Sequence, residues 1–155
     1  MQIFVLNKNP YISAFLLFCL DFKRANKQIL ELGQIISTVA QNKYRIKDKN
    51  LYKSCFINHP IVLWVEKNNK NFVWSLKYLK ELTNTFYKIK NKHHKVEKIY
   101  DIIINKKQLK NIINKKIDYN NIKFCRCFTK RKYKKLTVFQ AYRIYIYEKQ
   151  LGSIK

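Results

Sequence analysis

Apolar residues recur every three or four positions along most of the chain, which is the spacing of helices that bury one face. The clearest case lies between Phe22 and Ala40, where the apolar stripe consists of Phe22, Ala25, Ile29, Leu32, Ile36 and Val39. A second, polar stripe on this helix consists of Arg24, Lys27, Glu31, Gln34 and Thr38. Glu31 is the only acidic residue of the segment, so this single carboxylate among basic and amide groups is a candidate for chemistry.

The same spacing predicts helices in most of the remaining chain. We expect one over residues 11–20, a short one from Pro60 through Trp64 that ends at Asn68, and others over 72–90, 96–104 and 137–151. Asn58 is the expected cap of the helix that has Pro60 in its first turn.

Three stretches lack this period. Residues 2–6 look extended, residues 41–58 form a predicted surface loop, and residues 105–121 are a Lys/Asn/Ile-rich stretch to which the pattern assigns no structure. We therefore predict an all-α fold, a compact single-domain helical bundle over residues 1–155 with a short extended N-terminal segment.

Lysine and arginine outnumber aspartate and glutamate by 33 to 9, which gives a formal charge of +24 over 155 residues. One domain with a sizeable core fits this length. The charge favours a polyanionic partner, with nucleic acid first and an acidic membrane surface second. The abundance of Lys, Asn, Ile and Tyr also fits AT-biased coding, so the charge carries less weight than its size suggests. We expect a monomer that binds double-stranded DNA.

The longest apolar run, residues 11–20, is shorter than the roughly 20 residues that a membrane span needs. No small-x-small cleavage pattern follows it, which disfavours a signal peptide. The cysteines at 19, 55, 125 and 127 lack the spacing of a disulfide framework. We expect an intracellular protein, cytoplasmic or associated with DNA, without membrane contact.

Known site motifs are scarce. The Cys125-x-Cys127 pair and the adjacent His93 and His94 match structural zinc sites poorly, because those sites usually carry two spaced pairs such as C-x2-C. The chain also lacks a P-loop, a dinucleotide fingerprint, H-E-x-x-H and G-x-S-x-G. We expect no metal and no cofactor.

The polar stripe admits two interpretations. Lys27 and Glu31 are four residues apart, and an exposed ion pair worth about 0.2–0.5 kcal/mol would explain both. In the functional interpretation, Arg24 and Lys27 hold phosphate. Glu31 then protonates a group or stabilises developing charge, while Gln34 orients the substrate. His59, at a helix start, is a further catalytic or binding candidate, although a histidine there is more often structural.

The segment 137–151 combines aromatic and basic side chains. Rings that stack on bases, with cations that bind phosphates, are what unstacked nucleic acid requires. The candidate DNA-binding residues in it are Tyr142, Arg143, Tyr147 and Lys149. The alternative is a helix that packs its tyrosines on the core.

Residues 20–36 resemble a family signature, L-D-x-K-R-x-x-K-x-x-x-E-x-x-Q-I-L, of the pyrimidine-dimer DNA glycosylases of endonuclease V type. Asn58-His59-Pro60, followed by Trp64, is similar to that family's second block. Residues 72–87 resemble its long third helix, and residues 141–149 its aromatic, basic tail. The resemblance thus covers most of the chain, with the first block the most specific.

This resemblance implies a compact all-α repair enzyme that acts on ultraviolet-damaged pyrimidines in DNA. Its N-terminal amine attacks the sugar C1′, which gives glycosylase and abasic-site lyase activity. By position, the family's glutamate is Glu31, and Arg24, Lys27 and Gln34 fall on the same motif. To reach C1′, such an enzyme kinks the duplex and extrudes a nucleotide.

One residue departs from this expectation. Removal of an initiator methionine needs a small second residue, and Gln2 is large, so we expect the catalytic amine to be that of Met1. Lys23 or Lys27 could supply the amine instead, or lyase activity could be lacking. The alternative function is a non-enzymatic basic nucleic-acid-binding protein on the same scaffold, and a third is an enzyme acting on another base, nucleotide or RNA.

Overall fold

A computed structural model describes residues 2–127 and 131–152, and it is all-helical over these ranges, without strands. Seven α-helices account for most of this part of the chain: α1 Pro10–Leu20, α2 Phe22–Asn42, α3 Pro60–Lys67, α4 Asn69–Lys90, α5 Glu97–Ile104, α6 Lys107–Ile113 and α7 Val138–Leu151. Short 3-10 turns cover Tyr119–Asn121 and Arg131–Tyr133. The predicted all-α bundle is confirmed, and each predicted helix is present with similar bounds.

Side chains at the helix starts explain several of these bounds. The Asn9 carboxamide caps α1, the Asp21 carboxylate accepts from Arg24 N at 2.9 Å at the start of α2, and Thr137 caps α7 in a reciprocal box with Gln140. The expected cap of α3 was wrong by one residue. His59 caps this helix instead of Asn58, because its Nδ1 accepts a hydrogen bond from Ile61 N at 3.2 Å.

Helix α4 lies at the centre of the bundle and packs against α1, α2, α3, α5 and α6. Its Phe72, Trp74, Leu79 and Leu82 are fully buried, as are Leu32 and Ile36 from the apolar stripe of α2. This removal of apolar surface from water is the main stabilising contribution to the fold.

The N-terminal segment runs through this core without forming a helix. Ile3, Val5 and Leu6 are almost completely buried, so the backbone polar groups around them need partners. Side chains supply them: Tyr78 Oη donates to Phe4 O at 2.8 Å, Ser13 Oγ accepts from Leu6 N at 2.9 Å, and Arg143 donates to Leu6 O at 2.9 Å. The start of the chain is thereby fixed to α1, α4 and α7.

Gly33 allows α5 and the residue before it to approach α2 closely. A Cβ atom at this position would lie 2.6 Å from Cγ1 of Val96, which is too close for a methyl group, and 3.3 Å from the Tyr52 ring, which is a tight contact. The absence of a side chain therefore sets how deeply Val96 packs into the bundle.

Two stretches without helical period contain more structure than their sequence predicts. The segment between α2 and α3 is non-helical as expected, yet Ile46 and Leu51 are buried, and Cys55 exchanges backbone hydrogen bonds with the Thr38 hydroxyl. Residues 105–121 include α6, which buries Leu109. Among the described helices, none is long and apolar enough to cross a membrane.

Candidate active site

A pocket of about 470 Å³ lies where the N-terminal segment, α2 and α7 meet. Described residues from four separate parts of the chain form its wall: Gln2, Phe4, Arg24, Lys27, Gln28, Glu31, Cys127, Tyr145 and Lys149. Among the described residues of this wall, three cations accompany a single carboxylate, that of Glu31. The pocket has the volume of a small-ligand site and a net positive lining.

Glu31 is held by one backbone group and one side chain. Its Oε2 accepts a hydrogen bond from Gln2 N at 3.2 Å, and its Oε1 lies 3.7 Å from the ammonium nitrogen of Lys27. The Glu31 side chain is 20% exposed, whereas that of Lys27 is 75% exposed. The ion pair expected from the four-residue spacing is present, but its carboxylate faces the pocket and the start of the chain.

Gln28 fixes the N-terminal segment against α2. Its Oε1 accepts from Phe4 N at 3.0 Å, and its Nε2 donates to Gln2 O at 3.0 Å, while the side chain itself is buried. This amide therefore replaces the pairing that a neighbouring strand would supply, and it positions Gln2 N beside Glu31. Gln28 was not among the predicted site residues; an amide beside the apolar stripe of an amphipathic helix is the sequence signal that points to it.

Arg24 and Lys149 complete the cationic wall. The Arg24 guanidinium pairs with the carboxylate of Asp21, the residue that caps α2, so part of its charge is compensated. The ammonium of Lys149 lies 5.8 Å from the centre of the Tyr145 ring. That ring stacks on Phe4 with a centroid separation of 6.1 Å, which gives the pocket one aromatic side.

Four of the predicted site residues come together in this pocket: Arg24, Lys27, Glu31 and Lys149. Gln34 lies about one turn beyond Glu31 on α2, half-buried, and the described residues that line the pocket do not include it. The predicted catalytic Met1 lies outside the described residues.

The other candidates lie elsewhere. Tyr142 is fully buried and packs edge-on against Phe4, so for this ring the core-packing alternative holds instead of base stacking. Arg143 donates to the backbone of the N-terminal segment, and His59 caps α3, so both have structural partners. The ring of Tyr147 is 61% exposed, which leaves it open to solvent on the outer side of α7.

The described residues contain no group of three or more His, Cys, Asp or Glu side chains that could hold a metal ion. The pocket's own groups can bind an anion through their cations and exchange protons or stabilise positive charge through Glu31.

Comparisons of the chain with protein-family models, with curated proteins and with solved structures found no match.

Proposed function

We propose that this protein is a DNA glycosylase with abasic-site lyase activity on damaged pyrimidines such as ultraviolet dimers. One observation carries the proposal: the Glu31 carboxylate lies in a cationic pocket, 3.2 Å from the backbone nitrogen of Gln2. An acid next to the beginning of the chain is what catalysis by an N-terminal amine requires. The amine in this proposal is that of Met1, the covalent neighbour of Gln2.

The chemistry begins at the sugar. At a damaged pyrimidine, the neutral amine displaces the base from C1′, and the sugar ring then opens to an imine. At an abasic site, the amine adds to the C1′ aldehyde, and loss of water gives the same imine. An α-amino group suits this role because its ordinary pKa of about 8 is much closer to neutrality than that of a lysine.

Strand cleavage follows from the imine. A proton leaves C2′, its C–H electron pair forms a new double bond, and the C3′–O bond to the phosphate breaks as the phosphate departs with its pair. Water then hydrolyses the imine and frees the amine. Glu31 stabilises the positive charge at C1′ and transfers protons in these steps.

The cations around the pocket have the complementary role of holding DNA. Lys27 is largely exposed and Lys149 lies on the same rim, so both can reach phosphate oxygens from the solvent side. With 33 lysines and arginines against 9 acidic residues, the chain favours a polyanion as a whole. A bound, extruded nucleotide is the substrate form that brings C1′ within reach of a recessed carboxylate.

Trapping with borohydride tests this proposal. The protein is incubated with DNA that contains one abasic site, and separately with ultraviolet-irradiated DNA, and borohydride reduces any imine to a stable amine. We expect a covalent adduct in both cases, and peptide mapping should find it on the amine of Met1. An adduct on Lys23 or Lys27 would retain the enzyme class but move the nucleophile.

Matched variants complete the test. Glu31→Gln should abolish the adduct, whereas Glu81→Gln, which makes the same charge change on α4 away from the pocket, should retain it. DNA binding that persists without any adduct or nicking in the unmodified protein would contradict the enzyme. That outcome would establish the second function, a basic nucleic-acid-binding protein, which the solvent-exposed Lys27 in its ion pair with Glu31 also fits.

A further inference from the structure

Cys125 and Cys127 lie side by side at the edge of the pocket, and the function proposed above uses neither of them. Their sulfur atoms are 3.9 Å apart, and Cys127 lines the pocket wall. Both side chains are half-buried, and no disulfide joins them in this structure. Closing a disulfide of about 2.05 Å from this separation needs a movement of the two side chains of about 2 Å.

The segment that carries the two cysteines is anchored through Arg126 and the backbone of Cys125. Arg126, between them, donates to the backbone carbonyls of Lys134 and Leu136 at 3.3 and 2.6 Å. The Tyr142 hydroxyl donates to Cys125 O at 3.5 Å. These contacts restrain the backbone around Cys125 and Arg126, while the two thiol side chains stay within reach of each other.

The two thiols differ in acidity. The hydrogen bond from Cys127 lowers the pKa of Cys125 to about 7, and the same interaction raises the pKa of Cys127. The Cys125 sulfur also lies 4.0 Å from the carbonyl oxygen of Pro60, which accepts from its protonated form. Cys125 therefore has a partner in both protonation states and is the more readily ionised thiol of the pair, and the thiolate is the nucleophilic form.

We propose that Cys125 and Cys127 form a thiol–disulfide exchange site that takes small disulfides of the glutathione type. The Cys125 thiolate attacks one sulfur of the small disulfide, which releases one thiolate and leaves a mixed disulfide. Cys127 then loses its proton and attacks the Cys125 sulfur, which releases the second thiolate. The small disulfide gains two electrons, and the two cysteines lose two as their bond forms.

The charge of the neighbouring pocket selects the kind of disulfide. Arg24, Lys27 and Lys149 line the same pocket as Cys127, and a glutathione disulfide is a net anion. A cationic disulfide such as cystamine meets like charge there. The exchange should therefore be faster with the anionic probe, by a ratio that shrinks as salt is added.

The test uses the full chain with Cys19→Ser and Cys55→Ser, so that only the pair remains. Oxidised glutathione should yield a product lighter by two hydrogen atoms, with no lasting glutathionyl group, and a dithiol should reverse the change. Peptide mapping should find the bond between Cys125 and Cys127. Cystamine should react more slowly at low salt.

Two further substitutions in that background separate the roles. Cys127→Ser should accumulate one stable glutathionyl group on Cys125, whereas Cys125→Ser should form no internal disulfide and carry at most one mixed disulfide on Cys127. Limited alkylation of the two-cysteine chain at pH 7, which needs no further substitution, should label Cys125 first. Lasting glutathionyl groups on both cysteines without an internal bond, or equal labelling of the two, would overturn the proposal.

Discussion

Two glutamates, Glu31 and Glu97, are shielded from solvent almost equally, with side chains 20% and 19% exposed, yet their surroundings differ. Glu97 has two close side-chain partners, Lys80 at 3.0 Å and His93 at 2.7 Å. Glu31 has a backbone amide and a loosely placed lysine at 3.7 Å, and it faces an open pocket. A carboxylate whose oxygen atoms are both bound by nearby side chains stabilises the fold. A carboxylate that has fewer close partners and faces a pocket is available to act on a substrate.

The largest expected effect is that of removing the charge of Glu31. Glu31→Gln should lower the rate of abasic-site cleavage by about 100-fold or more, since a carboxamide cannot transfer protons or stabilise positive charge. Its carbonyl can still accept from Gln2 N, so the thermal unfolding midpoint should change little. Single-turnover cleavage of abasic DNA, beside a thermal melt of each variant, measures both quantities.

Glu97→Gln is the counterpart in this experiment. It should cleave at the unmodified rate, because Glu97 lies outside the pocket lining. If Glu31→Gln retains full cleavage, or if both variants lose activity equally, the distinction drawn between the two carboxylates is wrong.

Positioning of Glu31 depends on Gln28, and its loss should have the next largest effect. Gln28→Ala leaves Phe4 N and Gln2 O without their partners in a buried segment, which should cost about 3 kcal/mol of unfolding free energy. Urea unfolding measures this. Gln34→Ala, on the same helix but half-buried, is the matched control and should cost about 0.5 kcal/mol or less. Equal losses of unfolding free energy for the two alanine variants would mean that the hydrogen bonds of Gln28 to the N-terminal segment do not stabilise the fold.

The helices and part of the site could be predicted because both follow from local spacing. A period of 3.6 residues puts Arg24, Lys27 and Glu31 on one side of α2 whatever the rest of the chain does. Helix caps are also local, although the choice between Asn58 and His59 depends on a single side-chain hydrogen bond.

The rest depends on residues that meet only in the folded chain. The Gln28 carboxamide accepts a hydrogen bond from Phe4 N, 24 positions away in the sequence. Tyr145, near the other end of the chain, stacks on the same phenylalanine. Periodicity placed Tyr142 and Arg143 on a helix, but the partners of that helix determine which side chains are buried. For this reason the pattern alone could not show that Tyr142 is buried, or that Arg143, although exposed, donates to the backbone of the N-terminal segment.

Gly33 lies where α2, the helix that carries Glu31, packs against Val96, the residue before Glu97. Gly33→Ala should weaken this packing. A new methyl group would lie 2.6 Å from Val96 Cγ1, and overpacking of this kind costs about 1–3 kcal/mol. Higher helix propensity returns about 1 kcal/mol, so the net loss in unfolding free energy should be about 1 kcal/mol. In a Val96→Ala background, where the clashing methyl is gone, the same substitution should be neutral or stabilising. A loss that is equal in both backgrounds would show that Val96 is not the obstacle.

The smallest expected effect concerns Glu97 and its dependence on pH. Burial alone would raise the pKa of Glu97, but hydrogen bonds from Lys80 and His93, together with their charges, outweigh it and lower that pKa below the ordinary value for a glutamate. The folded state therefore favours the ionised carboxylate. Its contribution to stability is fully present above the pKa of the unfolded chain and is lost as the pH falls through the lower, folded value.

Glu97→Gln removes this contribution, which for an ion pair near the surface is about 0.5–1 kcal/mol. Urea unfolding of both proteins at several pH values should therefore show the full difference at pH 7 and a shrinking one below about pH 4.5, where the unmodified protein loses the same ion pair by protonation. Glu31→Gln should show no comparable loss at pH 7, because its lysine partner is 3.7 Å away and mostly in solvent. A constant difference for Glu97→Gln across the acid range would mean that the substitution destabilises the protein through packing and not through lost charge. The ion pairs of Glu97 would then not explain how it differs from Glu31.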